Sequence, residues 1–274
     1  MSSPNDKAPA SSGEKKKPMD LIARGVKRPT PVGSTIFVGL RTLDPLLQYQ
    51  ILRHGWGTSA LQKAGLEILP AGLPTATGTF IDAIGLSPYR LVLLAMATGS
   101  SVKQIYWLLG ISQEEFPPSA ATAVGIYNTV FNSINSLLFT CALTSGSTYN
   151  GGTFPQVPFI VGSALYVVGI TIETVAEIQR AQFKRDPKNK GQCYNGGLWS
   201  WARHINYGGY SLWRTGYSLA AGGWPWALVV MAWLSLDFNL RAVPVLDGYC
   251  SERYGEQWAE FKRKTPYQFL PFIY

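Results

Sequence analysis

The chain has 274 residues, of which 46% are hydrophobic and 15% are charged, and its formal net charge is +8. An average soluble domain has about 25% charged residues, so this composition favours a protein with membrane-embedded segments. The sequence has three cysteines, none in a CxxC pair, and two histidines. Because so few metal ligands are available, we predict no metal site.

Residues 1–30 are rich in Ser, Pro, Lys and Ala and have almost no large apolar side chains. Such a segment cannot bury enough surface to offset the entropy lost on ordering, so we predict a disordered basic tail. No apolar core of 7–15 residues follows closely enough for a cleavable signal peptide. We expect the tail to lie in the cytosol.

Apolar runs follow along the rest of the chain. The clearest are 119–144 and 156–178, each long enough to cross about 30 Å of hydrocarbon as a helix. The runs 33–53 and 86–109 contain charged residues, which we expect to face the interior of a helical bundle. Asn128, Asn132 and Asn135 form a polar stripe on one span, which we interpret as helix-to-helix hydrogen bonding, with a substrate pocket as the alternative.

Two shorter runs, 207–222 and 224–240, flank Gly222-Gly223, and Pro225 comes near the start of the second. This pattern predicts a tight helical hairpin. Runs of this length are ambiguous, so a re-entrant or interfacial pair that does not cross is the alternative.

The fold class is therefore predicted as all-α: a polytopic transmembrane bundle of six spans, or seven, after a disordered tail. Six spans place 1–32, 110–118, 183–206 and 241–274 on the cytosolic side, and three of these four are the most basic segments of the sequence. We divide the chain into the tail (1–30), an N-terminal, substrate-side half (31–150) and a C-terminal, cofactor-side half (151–274).

No GxGxxG follows a strand and no GxxxxGK[ST] occurs, so neither a Rossmann domain nor a P-loop is available. Glu173 and Glu177 share a helix face that continues to Lys184. Two interpretations remain open for these carboxylates: they accept hydrogen bonds from ribose hydroxyls or a carboxamide, or they form an ion-paired face with Arg180 and Lys184.

A second cluster directly precedes a helix and comprises Arg203, His204, Asn206 and Tyr207. Helix N-termini attract phosphate, and Arg binds phosphate oxygens bidentately. A lone loop His is more often structural, so His204 is a donor or a helix cap. Arg241 and Tyr249 flank the end of the last apolar run, where an Arg can also extend to the membrane interface.

The C-terminal hundred residues resemble the steroid 5-alpha-reductase C-terminal domain and related DUF1295-type membrane proteins. The resemblance rests on ETVAEIQR (173–180), GGLWSWARHINYGGY (196–210), WRTGYSLA (213–220), NLRAVP (239–244), YGEQWAEFK (254–262) and the closing PFIY. The sequence departs from the family pattern by having Glu177 for Asp, Ile205 for Pro and Tyr210 for Glu.

This resemblance implies an NADPH-dependent reductase of a carbon–carbon double bond in a steroid or other enone lipid, in the endoplasmic reticulum membrane. By this resemblance, the cofactor contacts are Glu173, Glu177, Lys184, Asn206, Arg241 and Tyr249. Arg203, His204 and Tyr207 are motif residues, and the catalytic acid is left unassigned.

Isoprenylcysteine carboxyl methyltransferases share an Arg-His-Pro-x-Tyr motif, so an S-adenosylmethionine-dependent enzyme is the alternative. A non-catalytic lipid-binding protein is the third interpretation. The basic residues cluster at inferred membrane edges, so we predict no nucleic-acid partner.

Overall fold

The structure, a computed structural model, describes residues 23–112, 114–147, 155–271 and 273. Most of these residues are helical, and the predicted all-α class is confirmed. The helices are α1 (Pro31–His54), α2 (Thr58–Lys63), α3 (Pro88–Tyr106), α4 (Pro118–Thr140), α5 (Val157–Arg185), α6 (Ile205–Asp237), α7 (Val243–Tyr254) and α8 (Glu256–Lys264). Single π-helical turns follow α3 (Trp107–Ile111) and α6 (Phe238–Ala242).

The first turn of each long helix up to α5 contains a proline, at Pro31, Pro88, Pro118 and Pro158. Proline suits this position because the missing N–H would be unpaired there in any case. The helix bounds agree with the four predicted runs to within a few residues, except that α5 continues seven residues beyond 178.

α6 is a helical hairpin. Gly223 has φ 68° and ψ −170°, which interrupts the helix. The rings of Tyr207 and Phe238 stack with centroids 4.7 Å apart, whereas a straight helix would separate them by about 46 Å. The chain therefore reverses at Gly223, and the predicted hairpin is confirmed. We call 205–222 the first arm and 224–237 the second arm.

Two helical stretches, Val157–Arg185 and Ile205–Tyr254, are long and apolar enough to cross a membrane by length and composition. The second arm exposes six large apolar side chains: Trp224, Leu228, Val229, Met231, Trp233 and Leu236. An apolar patch of this kind is unusual on a soluble monomer and is typical of a lipid or protein contact. The count of six spans stays a prediction.

A network of buried polar side chains connects the helices beside the hydrophobic core. Asn132 donates to Asp44 on α1 at 2.6 Å, and Trp226 donates to Asn135 at 2.7 Å. Asn128 accepts hydrogen bonds from Gln104 on α3 and from Arg214 on the first arm. The asparagine stripe thus connects α4 to three other helices, and the prediction of helix-to-helix bonding is confirmed.

Glycines bring α5 and the first arm into close antiparallel contact. A Cβ at Gly209 would lie 2.6 Å from the backbone nitrogen of Glu173, and one at Gly162 would lie 2.6 Å from the nitrogen of Ala220. Side chains larger than hydrogen at these positions would therefore separate the helices. This contact sets Glu173 opposite Gly209 and brings Glu177 within reach of Asn206.

The N-terminal prediction needs a correction. Residues 23–27, inside the predicted disordered tail, form β1 (Ala23–Lys27), which pairs antiparallel with β2 (Glu114–Glu115). The strand depends on a partner about 90 residues away, so local composition gave no sign of it. Residues 1–22 of the predicted tail lie outside the described residues.

Candidate cofactor site

A cavity of about 630 Å³ lies at the end of the bundle where α5 finishes. Its lining comes from four parts of the chain, within 25–27, 107–114, 177–192 and 246–254. Each of the four segments that the charge pattern assigned to one side of a membrane contributes residues to it. Its volume lies in the usual range for ligand sites, about 300–1,000 Å³.

The lining is basic. It contains three acidic side chains, Glu114, Glu177 and Asp186. Six basic side chains oppose them: Lys27, Arg180, Lys184, Arg185, Lys190 and Arg253. A concave surface with excess positive charge attracts anions and raises their local concentration. The donor set therefore fits a ligand with several negative charges, such as a phosphorylated nucleotide.

Glu177 is the buried carboxylate of this cavity, with a relative exposure of 4%. Its Oε1 accepts from Asn206 Nδ2 at 2.8 Å, and its Oε2 accepts from Arg180 at 2.6 Å. These two contacts fix the carboxylate at the wall. The predicted ion pair of Glu177 with Arg180 is present. The Glu177 carboxylate also lines the cavity, where it can accept a hydrogen bond from a ligand hydroxyl or amide.

Three of the nine predicted site residues line the cavity: Glu177, Lys184 and Tyr249. Tyr249 lies on α7, and its hydroxyl accepts from Arg253 at 2.7 Å. Asn206 reaches the site through Glu177. The structure therefore brings the α5 carboxylate, its amide partner, one lysine and one phenol together.

Glu173 is placed deeper in the bundle. It forms an ion pair with Lys103 of α3, and Trp213 Nε1 donates to it at 2.7 Å. Lys103 was not among the expected partners of this carboxylate. Glu173 and Glu177 share a helix, but they face different neighbours.

The motif around Arg203 holds the C-terminal segment. Arg203 donates to the carbonyl oxygens of Thr265 and Pro266 at 2.6 and 2.9 Å. His204 is 1% exposed, its backbone nitrogen donates to Gln268, and its ring stacks on Tyr207 with centroids 5.5 Å apart. These residues border the site without lining the cavity.

Arg241 lies outside the cavity lining, where it binds Asp237 through two hydrogen bonds of 2.6 and 2.7 Å. Tyr210, the residue that stands for the family's Glu, accepts from Arg214 Nε at 3.1 Å in the bundle interior. Sequence reasoning missed Lys27, Lys190 and Arg253 as lining residues. All three are positively charged and lie in segments that we predicted on the cytosolic side of the membrane, and this was the feature that could have identified them.

Cys193 and Cys250 lie near this end, and Cys250 lines the cavity. Burial raises the pKa of the Cys193 thiol to about 11, so the thiol is protonated at neutral pH. Among residues 23–112, 114–147, 155–271 and 273, no group of three or more His, Cys, Asp or Glu side chains is placed to hold a metal ion.

The fold and the cavity define a helical protein with a buried polar network, an exposed apolar helical arm and an anion-attracting site at one end. The sequence profile of DUF1295, described as a protein family of unknown function, matches residues 119–265. The chain belongs to this family.

Three relatives give the context. A probable O-methyltransferase, ustE of Ustilaginoidea virens, is 39% identical over 240 residues, covering 86% of this chain and 84% of the relative. The Delta(14)-sterol reductase of Arabidopsis thaliana is 29% identical over 137 residues, covering 43% of this chain and 35% of the relative. That of Methylotuvimicrobium alcaliphilum is 31% identical over 129 residues, covering 40% and 29%.

This chain therefore spans about a third of the length of each sterol reductase. The steroid-reductase resemblance of the C-terminal region agrees with these relatives. Part of this chain is thus similar to sterol reductases, and its two apolar helical stretches indicate a membrane protein.

Proposed function

We propose that this protein is an integral membrane oxidoreductase that uses NADPH to reduce a carbon–carbon double bond in a steroid or other enone lipid. The observation that carries the proposal is the excess of positive charge in the 630 Å³ cavity. NADPH carries a pyrophosphate and a further phosphate, so it matches this charge. The sterol reductase relatives support the reaction class.

In this proposal, Arg180 and Lys184 hold phosphate groups, and the Glu177 carboxylate accepts a hydrogen bond from a ribose hydroxyl or the carboxamide. Asn206 orients Glu177 through the 2.8 Å contact. Tyr249 adds a phenol to the same wall. Bound NADPH would supply the hydride; the protein supplies binding, orientation and exclusion of water.

The lipid substrate would enter from the bilayer. The proposed membrane protein has six spans, lies in the endoplasmic reticulum and has both termini in the cytosol. The charge pattern supports this orientation, because the most basic segments surround the cavity and cytosolic NADPH would then have direct access. Residues 151–274 would supply most of the cofactor site, with Lys27 and 107–114 added from the first half.

The second candidate is S-adenosylmethionine-dependent O-methyl transfer. It is favoured by the relative that matches 86% of this chain and is named a probable O-methyltransferase. S-adenosylmethionine has a sulfonium and an ammonium against one carboxylate, so it is a net cation. The six basic lining residues repel such a ligand, and we therefore prefer the dinucleotide. In a non-catalytic lipid-binding protein, the third interpretation, neither ligand would bind.

Calorimetry on the detergent-purified protein tests the proposal with NADPH, NADH and S-adenosylmethionine. We expect micromolar NADPH binding that Lys184→Gln weakens about tenfold, the effect of one charge-assisted hydrogen bond. Lys188→Gln is the matched control, because Lys188 lies four residues away and does not line the cavity.

Binding of S-adenosylmethionine alone would favour methyl transfer over reduction. A folded sample that binds none of the three ligands would contradict both enzyme candidates. If NADPH binds, reduction of an enone lipid by NADPH in the wild-type protein would identify the reaction.

A further inference from the structure

The strand β1 forms one wall of the cavity. Gly25 and Lys27 both line it, and the pairing of β1 with β2 is irregular between Ala23 and Lys27. β1 pairs with β2, and Glu114 of β2 also lines the cavity. The wall therefore consists of two segments that lie about 90 residues apart in the sequence.

Gly25 holds the strand against α7. Its backbone nitrogen donates to Glu114 Oε1 at 3.1 Å. Its φ is +78°, and a Cβ there would lie 2.7 Å from the hydroxyl of Tyr249 and 3.1 Å from Arg253 Nη1. The backbone conformation favours glycine at this position, and an added Cβ would displace the Tyr249 hydroxyl.

The surface that Gly25 contacts belongs to the cavity itself, since Tyr249 and Arg253 line it and bind each other at 2.7 Å. The position of β1 is thus coupled to two lining side chains. Lys27, two residues further on, adds a positive charge from β1 to those of Arg180 and Lys184, which come from α5. Cations supplied to one cavity by separate elements suit a ligand with several phosphate oxygens.

We propose that β1 is part of the cofactor site: Lys27 binds a phosphate group of the dinucleotide, and Gly25 sets the strand at the distance this contact requires. The inference rests on the proposed function and adds a binding residue from outside the family-matched region 119–265. Lys27 is a cofactor-binding residue in this assignment, and Gly25 is a positioning residue.

Calorimetric titration of the full chain with NADPH tests Lys27. We expect Lys27→Gln to raise Kd about tenfold and Lys27→Arg to keep most of the affinity, because Arg retains the charge and the hydrogen-bond donors. Arg28→Gln is the matched control: it removes the neighbouring charge, and Arg28 does not line the cavity. We expect it to change Kd less than about twofold, as for a screened surface charge.

Gly25→Ala tests the positioning role, with Gly65→Ala as control. Gly65 has a similar φ of +79° and nothing within 4 Å of an added Cβ, so it shares the backbone strain but not the clash. We expect Gly25→Ala to weaken NADPH binding several-fold and Gly65→Ala to leave it unchanged. NADPH should also slow tryptic cleavage after Lys27 in the wild type and lose this effect in Gly25→Ala.

The outcomes separate the two proposals. If the wild type binds NADPH and Lys27→Gln binds it equally well, β1 has no part in the site, while the proposed function stands. If the wild type, shown to be folded by circular dichroism, binds no NADPH, the proposed function fails and this inference fails with it. Equal weakening by Lys27→Gln and Arg28→Gln would indicate general attraction by charge and would overturn the specific contact.

Discussion

Glu177 and Glu173 differ in what surrounds them, although they lie one helical turn apart. Glu177 borders the cavity and is held by Asn206 and Arg180. Glu173 is joined to Lys103 and Trp213 and connects α5 to α3 and the first arm. Because Glu173 and Glu177 share a helix face, the sequence predicts one role for both, as two candidate cofactor contacts. The packing partners make Glu173 a helix contact, whereas Glu177 borders the cavity and stays the proposed ligand contact.

Cys193 gives a prediction at the same scale. Its pKa is raised to about 11 by burial, so deprotonation, and with it reactivity, should increase up to that pH. We expect iodoacetamide to alkylate Cys193 about ten times faster per pH unit from pH 7 to pH 10. Mass spectrometry of the Cys193 peptide measures this in a Cys141→Ala, Cys250→Ala background.

Free cysteine is the control for that experiment, because its ordinary pKa lies near 8.5 and its rate levels off above it. A plateau for Cys193 below pH 9 would contradict the assigned environment. Such a result would also mean that the 186–204 connection opens to water.

Helix packing is decided by glycines at the interface of α5 with the first arm of α6. The backbones approach so closely at Gly209 that an added Cβ would lie 2.6 Å from a backbone nitrogen. Small residues allow this approach in membrane helices, where van der Waals contact replaces the hydrophobic driving force. The same contact positions Asn206 against Glu177, so the helix interface and the candidate site are one structural unit.

We expect Gly209→Ala to destabilise the protein by roughly 2–3 kcal/mol and to lower Tm by roughly 5–10 °C. Gly39→Ala in α1 is the control, because nothing lies within 4 Å of an added Cβ there. A thermal-shift assay in detergent measures both variants. Equal Tm values for Gly209→Ala and the wild type would mean that the helices do not pack at this distance.

Across the whole molecule, polar and charged groups are concentrated in the bundle interior and at one end. The interior pairs Arg41 with Asp44 at 3.2 Å, and Arg214 lies 4.4 Å from the Trp213 ring centroid. The end cavity collects cations from segments distant in sequence. The interior thus contains paired polar and charged groups beside its apolar clusters, and the second arm exposes large apolar side chains, a combination expected of a protein surrounded by lipid.

The cavity charge predicts a salt dependence. Raising KCl from about 50 to about 300 mM should weaken NADPH binding about tenfold, because ions screen the attraction between phosphate groups and the basic lining. Calorimetry at several salt concentrations measures the slope. S-adenosylmethionine binding should show no weakening with salt, and a salt-independent Kd for NADPH would contradict an electrostatic site.

The helices and the hairpin were predictable because their signals are local: apolar runs, prolines in first turns and the Gly222-Gly223 pair. The six-span count placed the four segments around the cavity on one side, and the positive charge of three of them supported this; 110–118 contains Glu114 and Glu115. The partners of Glu173 and Arg214 were not, because they depend on which residues face each other between helices. β1 was missed for a related reason, since its partner and its contact with Tyr249 lie far along the chain.

Arg214 has a consequence for biosynthesis. Its hydrogen-bond acceptors Asn128 and Asn132 belong to α4, and Asn132 in turn binds Asp44 of α1. An unaccompanied Arg at the centre of a bilayer costs about 2.5–3.5 kcal/mol even on insertion scales. A ribosome releases α1 and α4 before α6, so in the proposed membrane topology this arginine enters the bilayer when the groups that accept its hydrogen bonds are already there. The order of synthesis therefore favours assembly from the N-terminal helices, and a chain circularly permuted to begin at α5 would have to insert Arg214 before those groups exist.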